Sequence, residues 1–448
     1  MRSLQEGIYY TKGSRPGQSL GIVFLRTKKS AKASEIGKVI SKIWKVCDNL
    51  KKGIIPEFQN LNLSYPKHYH DLTVLIGYGP KIFDLDGALK KKPKMFSDLS
   101  FSEPNRGGGS VFVQSDLSYH EDVIENHVAL DDIVIQCISD NAYVTNQCIV
   151  EIWRQLSQTT QDHNYSANLS VTKFYDGFRR GDDRNWMGFH DGLSNIKHEE
   201  RKDVIAINAS QVQPDDRWTI EGTFMGFIRT YVDLPRWWKV ERNEQELMVG
   251  RDKVTGCPLI GINENTGKNI VMRGCPMPGT KEVTDNGNEI FRNPPRYGYQ
   301  LLPAGVTDKP LNYSHIAEAR KIAREDPAQR EKYQIFRQGY EFLENTESYP
   351  GIRAGLNFIS FQDSPIRLFN TLANIKDEKA INSNFSWNSQ KNIQKKRDPP
   401  VLRFNSYFRV GAAGIFFVPP KDTQEGFPGE SIFFSTDEIK NETTLWKR

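Results

Sequence analysis

Asp132-Ile-Val-Ile-Gln-Cys-Ile138 alternates in hydrophobicity with the two-residue period of a β-strand, and a helical pattern follows it directly. In the second segment, from Asn141 to Ser157, apolar residues such as Ile149 and Ile152 recur at helical spacing. The two segments predict a strand followed by a helix.

The same kinds of element occur closer to the N-terminus. The apolar run Ser19-Leu-Gly-Ile-Val-Phe-Leu25 predicts a strand, and the stretch from Ala31 to Asn49 has the apolar spacing of a helix. Leu72-Thr-Val-Leu-Ile-Gly-Tyr78 predicts another strand. The resulting order of strand, helix, strand, strand, helix and strand indicates a ferredoxin-like α+β unit.

The second half of the chain repeats this pattern loosely. Strands are predicted at Thr223–Tyr231, Leu356–Phe361 and Gly414–Val418, and a helix around Thr371. The halves join near residues 196–220, so we predict an N-terminal ferredoxin-like domain over 1–200 and a C-terminal one over 201–448. Residues 256–312, which are rich in Gly, Pro and Asn, and the polar residues 382–400 are predicted to be irregular.

Composition narrows the class of protein. The 448 residues exceed one typical core, and a net charge of +5 from 60 basic and 55 acidic residues gives no support to nucleic-acid binding. We see no run of apolar residues long enough to span a membrane and no signal sequence. The five cysteines are odd in number, widely spaced and without a Cys-x-x-Cys pair, which favours a reducing, cytoplasmic location over a disulfide scaffold.

One short segment has the composition of a functional turn. In Asn185-Trp-Met-Gly-Phe-His-Asp-Gly-Leu-Ser-Asn195, the carboxylate of Asp191 stands between Gly188 and Gly192. Glycines let the backbone turn sharply and approach a ligand closely, so the turn can present this carboxylate to a pocket. The alternative is an ordinary Asp-Gly turn on the surface.

Taken in order along the chain, this segment and eight others resemble the dye-decolorizing peroxidases, a family of haem enzymes. The resemblance rests on Leu72–Asp84 with its Gly-x-Gly-Pro turn, Asp131–Asp140, Gly188–Asn195 with its Gly-x-x-Asp-Gly motif, Val232–Trp238, Gln245–Leu259, Ser314–Ile316, Ile335–Tyr340, Gly355–Gln362 and Gly414–Pro420.

The resemblance implies a fold of the dimeric α+β barrel superfamily and one haem b per chain. It implies that His315 is the axial ligand of the haem iron, and that Asp191 and Arg337 contact the cofactor and peroxide on the opposite face. A carboxylate can move a proton between the peroxide oxygens, and an arginine can stabilise the charge that develops as their bond breaks. The implied activity is a peroxidase that reduces hydrogen peroxide and oxidises dyes, phenols or other aromatic donors by one-electron steps.

Several alternatives remain open at this point. The same scaffold could serve a haem-dependent oxygenase, a metabolite-tailoring oxidase or a haem-handling protein with little turnover. His190 could tune Asp191, contact a propionate or face away from the site, and Asp398 is a candidate for the carboxylate partner of the axial histidine. Homo-oligomerisation is possible. Five aromatic residues could conduct an oxidising equivalent or simply form core: Trp237, Trp238, Tyr333, Tyr340 and Tyr407.

Overall fold

The computed structural model describes residues 2–8, 16–55, 71–98, 131–158, 168–190, 196, 198–271, 305–307, 311, 314–319, 334–346, 351–368, 371, 404–435 and 437–439. The strands in these ranges are β1 (Arg2–Ser3), β2 (Ser19–Thr27), β3 (Thr73–Tyr78), β4 (Ile133–Ser139), β5 (Leu169–Phe178), β6 (Thr223–Val232), β7 (Leu259–Asn263), β8 (Asn269–Val271), β9 (Val306–Thr307), β10 (Phe336–Asn345), β11 (Ile352–Gln362), β12 (Phe408–Val418) and β13 (Lys421–Asp422).

The α-helices in the same ranges are α1 (Ala33–Lys51), α2 (Lys94–Asp98), α3 (Ala142–Gln158), α4 (His198–Ile205), α5 (Leu234–Trp237), α6 (Arg242–Val249) and α7 (His315–Ala319). None of these helices is long and apolar enough to span a membrane.

Helix α1 has the buried face that its apolar spacing predicts. The Lys32 backbone N–H donates to the Glu35 carboxylate at 3.0 Å, which closes the first turn. Ile36, Ile40 and Ile43 are each at most 1% exposed and lie on one side of the helix. Burying a side chain of this size stabilises the fold by about 1.5–3 kcal/mol, so this face holds α1 in the core.

Both halves of the chain build the same arrangement of four antiparallel strands. In the first half the strands lie in the order β3, β4, β2, β5, and in the second half in the order β10, β11, β6, β12. Counted along the chain within each half, both orders read second, third, first, fourth strand. The two halves therefore share one strand topology.

The two four-stranded arrays join into a single closed barrel. At one seam β10 meets β5, where Glu341 pairs with Phe178, and at the other β12 meets β3, where Phe417 pairs with Tyr78. The Tyr78 hydroxyl donates to the Pro428 carbonyl at 2.8 Å and anchors the second seam to the segment beyond β12. Aromatic side chains pack inside the barrel, which links the halves through one core.

The N-terminal segment reinforces the second seam. The Gln5 amide group donates to the carbonyls of Ile76 at 2.9 Å and Pro419 at 2.8 Å, and its oxygen accepts from the Ile76 N–H at 2.9 Å. The Gln338 side chain donates to the Gly7 carbonyl at 2.8 Å. This segment thus contacts strands of both halves.

The cysteines differ in their environments. Cys47, Cys137 and Cys148 are buried free thiols, with sulfur separations of 3.0 Å from Cys137 to Cys148 and 3.8 Å from Cys47 to Cys148. The hydrogen bond with Cys148, together with burial, raises the pKa of Cys47, so this thiol is a poor nucleophile. Cys257 is disulfide-bonded, whereas the sequence pattern favoured a reducing environment.

The α+β class predicted from the sequence is confirmed. The strands of both halves form one closed barrel, because β10 and β12 of the second half meet β5 and β3 of the first. One expectation needs correction. The segment 256–312 was predicted to be irregular, whereas β7, β8 and β9 form a small three-stranded sheet within it. The predicted helix around Thr371 and the loop 382–400 fall mostly or wholly outside the described residues.

Asp131, a buried residue next to the start of β4, makes the stability of the fold depend on pH. Burial raises the pKa of Asp131 to about 6, although hydrogen bonds from Thr172 and Arg26 oppose the shift. Because the folded state holds this proton more tightly than the unfolded state does, its contribution is fully present below about pH 4. It is lost as the pH rises through about 6.

We therefore expect Asp131→Asn to flatten the dependence of the melting temperature on pH between about 4 and 6. The control is Asp203→Asn, which changes an exposed carboxylate on α4. Thermal unfolding of both variants and the parent over this pH range measures the effect. An unchanged slope in Asp131→Asn would show that another group causes the dependence.

Candidate active site

The residues that precede Asp191 form a tightly bonded loop. The Asn185 N–H donates to the Phe189 carbonyl at 2.9 Å, and the Gly188 N–H donates to the Asn185 carbonyl at 2.8 Å. The Asn185 side chain also accepts from the Phe189 N–H at 3.1 Å. Gly188 has a φ of +89°, a conformation that glycine adopts without strain. The loop is thus rigid up to His190, whereas Asp191 itself lies outside the described residues.

Arg184 fastens this loop to the segment after α6. Its guanidinium donates to the carbonyls of Gly188 at 2.7 Å, Lys253 at 2.5 Å and Val254 at 2.8 Å. The Lys253 stem covers Gly188 so closely that a side-chain carbon at that position would lie 2.5 Å from Lys253 Cε. The positive φ is what requires a glycine here, because the Lys253 side chain could move away from an added side-chain carbon.

His190 carries a neutral imidazole whose Nε2 atom is buried. Burial, followed by the nearby Arg184 guanidinium, lowers the pKa of His190, which keeps the ring uncharged at neutral pH. The ring hydrogen-bonds to the Val254 backbone, and its Nε2 is buried with no hydrogen-bond partner in the described part of the chain. His190 can therefore accept a hydrogen bond there, which leaves its three possible roles open.

His315 is the first residue of α7 and is fixed by its neighbours. Ser314, 2% exposed, caps the helix by accepting from the Ala317 N–H at 3.3 Å. The His315 ring packs against the Phe404 ring with 4.8 Å between centroids. Behind Ser314 lies Gly250, which ends α6 with a φ of +88°. The imidazole thus stands on a capped helix that rests on the end of another helix.

We expect Gly250→Ala to weaken haem retention. A side-chain carbon at Gly250 would lie 2.8 Å from Ser314 Oγ, so Ser314 and the adjacent His315 have to shift. The matched control is Gly267→Ala, which also has a positive φ, of +65°, but has nothing within 4 Å of the added carbon. Both variants bear a backbone cost of about 1–2 kcal/mol, so both melt at a lower temperature.

The ratio of haem to protein after reconstitution with hemin separates the two variants. It falls in Gly250→Ala and stays at the parental value in Gly267→Ala. Equal haem content in the two variants would contradict a role for Gly250 in placing the histidine.

Arg337 lies near the start of β10, half-buried, and faces outward from the barrel. Its register partner on β11 is Ser360, whose hydroxyl is buried and has no hydrogen-bond partner among the described residues. Gly226 on β6 lies beside that hydroxyl, since a side-chain carbon there would come within 2.8 Å of Ser360 Oγ. Arg337 therefore stands on a part of the sheet that retains an unsatisfied polar group.

An apolar cluster connects the Asp191 loop with the surroundings of His315. It contains Met187 and Phe189 from the loop, Trp237 from α5 and, packed against it, Phe404. The Trp237 indole N–H donates to the Met187 carbonyl at 3.2 Å, and its ring meets Phe404 at 6.0 Å between centroids. An imidazole on a capped helix, next to buried aromatic rings, provides an iron ligand and apolar surroundings that fit haem, whereas no described contact links this cluster to Arg337.

The aromatic residues singled out in the sequence fall into different environments. Trp237, Tyr340 and Tyr407 are buried, and Trp238 is 69% exposed. Tyr340 points into the barrel core, where its hydroxyl donates to the Gly17 carbonyl at 3.0 Å. Burial raises the pKa of Tyr407. Tyr333 and Asp398 lie outside the described residues.

Sequence reasoning missed several residues that hold these groups in place. Arg184, Trp186, Gly250 and Glu341 act through backbone atoms or through close contacts, and short motifs of residue types do not reveal such partners. Gly250 had a sequence signal, because a glycine that ends an apolar-periodic helix commonly adopts a positive φ. Glu341 had none, because its partner is a backbone N–H.

Comparison with known sequences identifies related proteins. The family model described as Dyp-type peroxidase, C-terminal, matches residues 182–423, which is more than half of the chain. A deferrochelatase from Escherichia coli O6:K15:H31 is 32% identical over 199 residues, which make up 44% of this chain and 43% of that protein. The deferrochelatase of Escherichia coli K12 is 24% identical over 193 residues, or 42% and 41% of the two chains. The match thus spans less than half the length of these relatives.

Solved structures share the fold over nearly the whole chain. An oxyferrous/water mixed complex of DtpA from Streptomyces lividans has a TM-score of 0.62 at 18% identity and covers 97% of this chain and 98% of its own. A DyP-type peroxidase from Cellulomonas bogoriensis has a TM-score of 0.61 at 17% identity, with 96% and 97% covered. At these identities the likeness establishes a common fold.

Proposed function

Because the chain belongs to the Dyp-type peroxidase family, we propose that it is a haem-dependent peroxidase that reduces hydrogen peroxide and oxidises aromatic donors by one-electron steps. One observation carries this proposal: the matched residues 182–423 include all three proposed site residues, His315, Asp191 and Arg337. Two features of the described residues support the proposal. His315 begins a helix that is capped by Ser314, and Arg337 lies opposite the polar side chain of Ser360 on the neighbouring strand.

The roles of the residues follow from their chemistry. His315 would bind the iron of haem b from its fixed place at the start of α7. Haem, when bound, would supply a redox-active iron that can react with peroxide. Asp191 would take a proton from the nearer peroxide oxygen and return it to the departing oxygen, so that water leaves. Arg337 would stabilise the negative charge that develops between the two oxygens, since its guanidinium stays protonated.

We infer further that each half of the barrel is a ferredoxin-like unit, with a boundary near residue 200. The shared strand order and the positions of α1 and α3 between the strands of the first half support this division. The proposed donors are phenols, dyes or other aromatic molecules, and a homo-oligomer and a cytoplasmic location remain proposals. The disulfide at Cys257 is an observation against a strongly reducing location.

A second candidate is a haem-handling function, which is supported by the name of the curated relatives. Those proteins are deferrochelatases, a name that points to iron and chelatase chemistry. The two candidates differ in their products. A chelatase would replace the iron of added hemin by two protons, which releases the iron ion and leaves iron-free porphyrin that is detectable by its fluorescence. A peroxidase would leave no such product.

The experiment that tests the peroxidase compares Asp191→Asn with the parent. The protein is reconstituted with hemin, its Soret spectrum is recorded, and its reaction with peroxide is followed by stopped flow. We expect Asp191→Asn to keep its haem but to react about a hundredfold more slowly, because the amide cannot accept the proton. The parental rate should fall in acid as Asp191 becomes protonated. If Asp191→Asn reacts as fast as the parent at every pH, another group moves the proton.

A further inference from the structure

Trp186 joins the loop that precedes Asp191 to strand β10. Its backbone N–H donates to Glu341 Oε1 at 2.5 Å, and its indole N–H donates to the Phe342 carbonyl at 3.0 Å. The indole also meets the Phe178 ring edge-on, with 5.7 Å between centroids. Glu341 is only 6% exposed, so water competes little for its carboxyl group and the hydrogen bond is strengthened.

Glu341 lies on the same strand and the same side as Arg337. Side chains alternate along a strand, so residues four apart point in one direction and stand about 13 Å apart. The pairing of β10 with β11 continues without a shift from Phe336 to Asn345, which fixes this spacing. Glu341 is also the residue at which β10 meets β5 of the other half.

The loop can transmit the position of Trp186 to Asp191. Asn185, Gly188 and Phe189 are bonded to one another, and Arg184 ties the loop to Lys253 and Val254. The segment up to His190 therefore moves as one body. Trp186 attaches this segment to β10, the strand that carries Arg337, so the segment is held at a fixed place relative to that strand.

We propose that Glu341 is a positioning residue: by holding Trp186, it fixes the loop that leads to Asp191 relative to Arg337. The inference rests on the proposed function, in which Asp191 and Arg337 act on the same peroxide molecule. Two groups that act together on so small a substrate have to be placed accurately. A displacement of about 1 Å reduces the rate on the order of a hundredfold.

The experiment compares Glu341→Ala, Glu341→Gln and a matched control, Tyr78→Phe, in the full chain reconstituted with hemin. Tyr78 lies at the other seam of the barrel and loses a buried hydrogen bond in the variant, so the control reports the effect of lower stability alone. Three quantities are measured: haem content, hydrogen exchange of the amides of residues 184–190 without peroxide, and the rate of the peroxide reaction across pH.

In Glu341→Ala we expect faster exchange of the loop amides, normal haem content and a peroxide reaction slowed by about ten- to a hundredfold. Glu341→Gln should recover most of the rate, because its amide oxygen can accept from the Trp186 N–H. Tyr78→Phe should melt at a lower temperature and keep both the rate and the exchange of the loop. A parental rate in Glu341→Ala, or a loss equal to that in Tyr78→Phe, overturns the proposal.

The double variant Asp191→Asn with Glu341→Ala tests whether Glu341 acts through Asp191. If it does, adding Glu341→Ala to Asp191→Asn causes no further loss, because the group to be positioned is already absent. Equal relative losses in both backgrounds overturn the proposal. Failure of the proposed function has a different signature: Asp191→Asn alone then reacts at the parental rate.

Discussion

Arg337→Leu is expected to react with hydrogen peroxide about a thousandfold more slowly than the parent while it keeps its haem. The guanidinium acts on charge that exists only as the oxygen–oxygen bond breaks, so its loss affects the rate and leaves binding of the cofactor largely intact. Leucine preserves much of the apolar stem, so the strand should keep its place.

The measurement is a stopped-flow rate at full haem occupancy, followed in the Soret region. Arg353→Leu, a change of another arginine on the neighbouring strand β11, provides the control for loss of a positive charge. Arg337→Lys should recover part of the rate, since it restores the charge but lacks the planar fork of donors. If Arg337→Leu reacts with hydrogen peroxide at the parental rate, Arg337 does not stabilise the breaking oxygen–oxygen bond.

His315→Ala is expected to lose most of its haem or to show the spectrum of a different axial ligand. The imidazole is the only group that our proposal gives to the iron, and an alanine side chain cannot replace it. The haem-to-protein ratio and the ferric spectrum after reconstitution measure the effect. Added imidazole should enter the space left by the side chain and restore part of the parental spectrum.

His198→Ala provides the control, because it removes a histidine from α4 rather than from α7. It should bind haem with the parental spectrum. Full haem retention with an unchanged ferric spectrum in His315→Ala would show that another residue is the ligand.

Local sequence patterns predicted α1, α3 and most barrel strands of the first half. Helix α1 was expected at Ala31–Asn49 and is found at Ala33–Lys51, because its buried face recurs every three to four residues. Strand β10 was recognised as an arginine-bearing segment but not as a strand. Its inward positions include the polar Gln338, which binds the Gly7 carbonyl, so the apolar alternation is interrupted.

The closure of the barrel could not be predicted from local patterns, because it depends on pairs such as Glu341 with Phe178, which are far apart in the chain. The same limit applies to the site. Motif resemblance predicted His315, Arg337 and Asp191 as residue types in sequence order. The groups that hold them, such as Ser314 against Gly250, become visible only when distant segments are placed together.

The closed barrel has a consequence for fragments of this chain. Within the barrel β5 and β3 each pair with a strand of the second half, and β10 and β12 with a strand of the first. A chain cut between the halves would leave these four strands as open sheet edges with unpaired N–H and carbonyl groups, the feature that lets β-proteins aggregate or exchange strands. Joining the two arrays in one chain thus protects each half from self-association, in addition to placing the loop that precedes Asp191 beside β10.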